Sequence, residues 1–128
     1  MDENDTILIQ ELADSFRRQL QWYRELRDLV RKILGRLVLS RGDISGVIAG
    51  LEKKKDLLEN IQNERSRTSA MVEKWQSRKG LMEVGETQAL DEVLEQTGTA
   101  IREFLDEEEQ LKKYIESIVN KQDGGAAG

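Results

Sequence analysis

Apolar residues recur at alternating spacings of three and four along three long stretches of this chain, and no proline interrupts them. That alternation stacks the residues on one face of an α-helix, whereas a half-buried strand would need a period of two. The first seam is Ile9, Leu12, Phe16, Gln19, Tyr23, Leu26, Val30, Ile33 and Leu37. The second is Ile44, Val47, Leu51, Lys54, Leu58, Ile61, Arg65, Thr68, Val72 and Trp75. The third is Leu90, Leu94, Thr97, Ile101, Phe104, Glu108, Leu111, Ile115 and Ile118. These seams predict helices over about 6–39, 43–76 and 88–121, each about 34 residues or ~50 Å long. Helices of matched length cover one another fully, so the expected fold is all-α: an up-down-up antiparallel bundle of three long helices with coiled-coil-like packing. The bundle should occupy residues 1–122, leaving 123–128 (Asp-Gly-Gly-Ala-Ala-Gly) as a disordered tail with nothing to bury.

The junctions carry their own signals. Asn4, Asp5 or Thr6 offers an N-cap for the first helix. At Ser40-Arg41-Gly42, Gly42 suits a left-handed helix end and Asp43 the next N-cap. Residues 77–87 hold two glycines and predict a longer connection, with Leu81, Met82 and Val84 folding over the bundle end and Thr87 capping the third helix. Off-seam apolar residues, among them Leu20, Trp22, Leu29, Leu57, Val93 and Leu105, widen the stripes so that each helix should touch two neighbours.

Composition narrows the chemistry. Histidine and cysteine are both absent, which removes imidazole bases, thiolate nucleophiles, disulfides and zinc sites of the cysteine–histidine kind. Of the carboxylates, Asp106, Glu107, Glu108 and Glu109 are the densest group, but four consecutive helical positions point four ways and form no acid–base pair. No enzyme, cofactor site or metal site is therefore expected. Residues 1–42 carry a net +1, residues 43–80 a net +2 and residues 81–128 a net −8. No segment is basic enough to track phosphates, so nucleic acid is not an expected partner. No stretch approaches the about 20 apolar residues of a membrane helix, and the acidic start Met1-Asp2-Glu3-Asn4-Asp5 lacks a secretory core. A cytoplasmic location is expected.

Polar residues inside the seams set up a choice between structure and function. Hinging the helices at their connections predicts two polar layers, Gln19–Arg65–Thr97 and Lys54–Glu108. They serve either to fix register or to weaken the bundle so that it opens for a partner. Gly42, Gly46 and Gly50, with Gly35 across the turn, suit either close helix approach or a frayed, dockable start to the second helix. Trp22 and Trp75 either fill core edges or anchor a client. The third helix bears the broadest apolar stripe: Leu94, Ile101, Phe104, Leu105, Leu111, Tyr114, Ile115 and Ile118. It is either core or the partner-binding face of a groove that receives another protein's amphipathic helix.

The run from Leu20 to Arg67 resembles the FlgN-like family of flagellar type III export chaperones. The matching features are a long Leu-rich first helix, the Gly42-Asp43 break and a second helix carrying Ile44, Ile48, Leu51, Lys55, Leu57, Leu58, Ile61 and Arg65. The resemblance implies a non-enzymatic cytoplasmic protein, monomeric or weakly dimeric. Such a protein binds C-terminal helical segments of hook-filament junction proteins, prevents their premature assembly and delivers them to the export apparatus. The alternative from a different class is a self-associating structural helical bundle.

Overall fold

The computed structural model describes residues 3–127, with side chains through 121. Three long helices run up, down and up: α1 (Glu3–Leu39), α2 (Ile48–Arg78) and α3 (Val84–Ala127). No strand occurs among the described residues. Cross-helix pairs give the directions. Arg27 meets Glu103 and Arg31 meets Glu107, so α1 and α3 run parallel. Asp5 meets Arg78 and Arg18 meets Glu64, so α2 runs antiparallel to α1.

The expected all-α architecture is present, with shifts at the helix ends. The α1 C-terminus closes with two left-handed residues, Arg41 and Gly42, rather than glycine alone. Gly42 N–H donates to the Leu37 carbonyl at 2.8 Å and Arg41 N–H to Val38, the paired reverse bonds that satisfy a helix's last carbonyls. A side chain at Gly42 would also strike Ile118 of α3, at 2.9 Å from its Cδ1. Asp43 is a cap, accepting from Ser45 N–H at 3.1 Å, but the element it caps is a 3₁₀ turn over Ile44–Val47 that precedes α2.

The second connection is shorter than the glycines at 80 and 85 predict. A 3₁₀ turn over Lys79–Leu81 leads almost directly into α3, which begins at Val84 rather than 88. Thr87 therefore lies inside the first turn, its hydroxyl donating to the Val84 carbonyl at 3.2 Å, and does not cap the helix. Of the three residues expected to fold over this end, Met82 packs against the core while Leu81 and Val84 stay exposed. At the other end the α3 backbone is helical through Ala127, past the expected boundary at 121. Elongation of an established helix adds a hydrogen bond per residue without a new nucleation cost. The expected tail at 123–128 falls on residues whose side chains, together with all of Gly128, lie outside those described.

α1 is the central rod. Ile9, Leu12, Gln19, Tyr23, Leu26, Val30, Ile33 and Leu37 of its seam are all buried, and Phe16 packs against them. The Tyr23 and Phe104 rings meet at 6.2 Å, and the Tyr114 hydroxyl donates to the Leu37 carbonyl at 3.2 Å, which fastens α3 along α1. Gly50 of α2 lets Ile33 approach so closely that an added methyl would lie 3.1 Å from its Cγ1. The glycine spacing is thus a packing device at 50, but Gly46 and Gly35 face open space. Gly35→Ala is accordingly expected to raise stability by about 0.5–1 kcal/mol, because mid-helix glycine costs unfolded-state entropy and nothing obstructs the methyl; a urea melt checks it.

Candidate partner-binding cleft

α1 packs along both other helices, most extensively along α3, whereas α2 and α3 approach each other closely almost nowhere. Among the described residues α1 alone packs closely along two neighbours, while α2 and α3 meet chiefly through Lys54 and Glu108. The reason lies in which face of α2 turns inward. Residues 57, 61, 64 and 68 form its buried track. The seam read from the sequence shares Ile61 and Thr68 with this track but took Leu58 and Arg65 where the structure buries Leu57 and Glu64. In the structure Arg65 is exposed and Glu64 occupies the interior. Leu51, Leu58, Arg65 and Val72 share one heptad position of α2, which Ile44 of the preceding 3₁₀ turn continues, and none of them is fully buried. Ile44 and Leu58 are well exposed.

Two concavities flank this gap. One is lined on α2 by Leu51, Lys54, Lys55, Leu58, Glu59 and Gln62. The other is lined mainly on α3 by Leu105, Glu108, Glu109, Leu111, Lys112, Ile115 and Glu116, with Lys54 reaching across. Nearer the α1 N-terminus the same α2 face, through Arg65, Ser69 and Val72, opposes Phe16 and Gln19 of α1. The first two concavities meet at Lys54 and form an open cleft with leucine on the α2 wall and leucine and isoleucine on the α3 wall.

The eight α3 residues named as a partner-binding stripe divide between core and cleft. Phe104 and Leu111 are buried in the core, though the edge of Leu111 also reaches the cleft wall. Tyr114 is tied to α1 by its hydroxyl, and Ile118 sits against Gly42. Leu94 and Ile101 are half-buried against the core, on the heptad position that continues to Glu108 and Ile115. Leu105, 54% exposed, and Ile115 stand on the cleft wall. The stripe thus divides into residues that pack in the core and residues that line the α3 concavity.

The predicted Lys54–Glu108 layer exists. Lys54 Nζ lies 2.6 Å from Glu108 Oε1, and this pair bridges the two walls where the concavities meet. Glu108 Oε1 is buried yet lacks hydrogen-bond geometry, so charge alone holds the contact. An ion pair half-removed from water and poorly bonded returns little of its desolvation penalty. Lys54→Met with Glu108→Leu is expected to raise the unfolding free energy by about 1–2 kcal/mol, while Glu108→Leu alone lowers it by stranding the ammonium; urea melts of both variants distinguish them. The acidic run divides as its helical spacing requires: Glu107 pairs with Arg31 of α1 at 2.9 Å and Glu108 with α2, while Asp106 and Glu109 face solvent.

The second predicted layer has the right level and a different cast. Gln19 and Thr97 are buried as expected, but Glu64, not Arg65, joins them, with Ser15 and Thr68. Glu64 accepts from Ser15 Oγ at 3.1 Å, from Arg18 Nη2 at 2.9 Å and from Arg67 Nε at 2.9 Å. Gln19 donates to Ser15 at 3.2 Å, which completes the chain. The Arg67 hydrogen bonds, assisted by those of Arg18 and Ser15 and opposed by burial, pull the Glu64 carboxyl down to about 2. At the α2 C-terminus Arg78 grips the buried Asp5 at 2.5 and 2.7 Å and holds that carboxyl below its ordinary range. Sequence reasoning missed both clasps. Glu64 was detectable as the residue continuing Leu57 and Ile61 at a four-three spacing, but Asp5 looked like a solvent-facing cap.

Of the tryptophans, Trp22 fills a core edge. Trp75 also packs there, under the Lys79 ammonium at 5.3 Å, its buried indole N–H lacking a hydrogen bond among the described residues. No helix among the described residues is long and apolar enough to cross a membrane. No family model, curated protein or solved structure matches the chain significantly.

Proposed function

We propose that this chain is a non-enzymatic cytoplasmic chaperone of the flagellar export kind, which takes up one amphipathic helix in the α2–α3 cleft. The observation that carries the reading is that cleft: α2 and α3 make few close approaches beyond Lys54–Glu108, and Leu58 and Leu105, 39% and 54% exposed, line the concavities on its α2 and α3 sides. Exposed apolar surface framed by charge is surface awaiting cover. A visiting helix laid between the walls would cover it with residues at i, i+3, i+4 and i+7, as in other helix-in-groove complexes. The likeness of Leu20–Arg67 to the FlgN-like family supplies the client class: C-terminal helices of hook-filament junction proteins, sequestered until export. A half-covered groove suits a client that must be released again, because the affinity then rests on a short apolar strip rather than a large sealed interface.

Fluorescence anisotropy of labelled C-terminal peptides from hook-filament junction proteins, with light scattering for solution size, tests the reading. The expected result is a monomeric or weakly dimeric chain that forms a 1:1 complex with a Kd on the order of micromolar. No uptake of any such peptide at about a hundredfold higher concentration overturns it. So does a stable oligomer that closes the cleft, which is the structural-bundle alternative.

A further inference from the structure

The cleft walls differ in charge. On the α2 side Lys54 and Lys55 flank Leu51 and Leu58, with Glu59 beyond them. On the α3 side Glu108, Glu109 and Glu116 surround Leu105 and Ile115, with Lys112 among them. The asymmetry belongs to the whole elements: residues 43–80 are net positive and residues 81–128 strongly negative. Lys54 and Glu108 meet at 2.6 Å across the gap without hydrogen-bond geometry, so each wall's charge already finds its complement on the other wall.

Resting on the cleft reading above, we propose that the cleft selects a helix by its two edges: an apolar stripe with carboxylates along one side, facing α2, and lysine or arginine along the other, facing α3. The client's edges take over the partners that Lys54 and Glu108 provide for each other in the free chain, so the bridge opens without leaving either charge bare. A helix acidic on both edges meets Glu109 and Glu116 with like charge, and one basic on both edges meets Lys54 and Lys55. The edges also set direction, because turning a two-edged helix end for end exchanges the edge each wall sees. Leu51 to Leu58 spans about two turns of α2 and Leu105 to Ile115 about three of α3, so a client segment of roughly 8–12 residues fills the cleft.

Three synthetic peptides test this, with the same leucine–isoleucine stripe and flanks of Glu and Lys on opposite edges, Glu on both, or Lys on both. Anisotropy titration of the full chain at low salt should rank the two-edged peptide roughly three- to tenfold tighter than either other, and the gap should shrink at about 0.5 M salt. Lys54→Glu with Lys55→Glu, its helicity checked by circular dichroism, makes both walls acidic and should move the preference to the Lys-flanked peptide. A nitroxide at one peptide end, read against α2 or α3 labels, should reverse position when the edges are exchanged. Equal binding of all three peptides overturns the charge-reading proposal and leaves the cleft as a helix-binding site. Binding of none overturns both.

Discussion

Placing aspartate at both Leu58 and Leu105 is expected to weaken client-peptide binding by about a hundredfold or more while lowering folding stability by only about 2–3 kcal/mol. The two leucines line the α2 and α3 concavities and are 39% and 54% exposed, so the folded chain can carry the change at a moderate cost. In the complex each carboxylate would be pressed against an apolar helix face with no partner to bond it, and unpaired buried charge is among the most unfavourable contacts available. Parallel anisotropy titrations and urea melts separate the two effects. Binding that survives intact would move the client site off the cleft. Binding lost together with the fold would mean that the leucines serve packing rather than recognition.

Glu64→Ala is expected to destabilise the chain by about 2–3 kcal/mol, the second large effect, and to do so at neutral pH. The carboxylate joins α1 to α2 through Ser15, Arg18 and Arg67, and its removal leaves the buried Ser15 hydroxyl without the acceptor it donates to. Arg18 and Arg67 are about half exposed, which keeps the loss below that of a fully buried ion pair. The same group predicts the acid limb. Its pKa in the folded chain is about 2, below its unfolded value, so its contribution is complete above the unfolded pKa near 4.5 and disappears as pH falls toward 2. Urea melts from pH 6 down to about 2 should show stability falling through that window, with a visibly flatter slope in Glu64→Ala. An unchanged slope would assign acid sensitivity to other carboxylates, Asp5 foremost.

The contrast between α1 and α2 shows how far periodicity reaches. On α1 the seam from Ile9 through Leu37 is the inward face, flanked by the buried off-seam residues Leu8, Ala13 and Leu20. On α2 two tracks run side by side. Leu57 neighbours Leu58, Glu64 neighbours Arg65, and both choices satisfy the three-four alternation. The pattern therefore allowed either face to turn inward. Packing chose the track whose polar member makes the better buried layer: a carboxylate that accepts from one hydroxyl and two guanidiniums is satisfied at that level, whereas a buried Arg65 would have had five donors to place there. The rejected track became the cleft wall. The α3 stripe was broad because it serves α1 and the cleft together, a division no single-helix pattern encodes.

Three rods, their up-down-up order, the turn at Gly42-Asp43, the level of the polar layers and the Lys54–Glu108 pair all followed from residue spacing, because helical period and connection length are local quantities that add along a chain. The rotation of α2 about its own axis, the separation of α2 from α3 and the clasps at Glu64 and Asp5 emerged only in three dimensions. Each depends on comparing burial energies of near-equal faces across helices, and that comparison has no local signature.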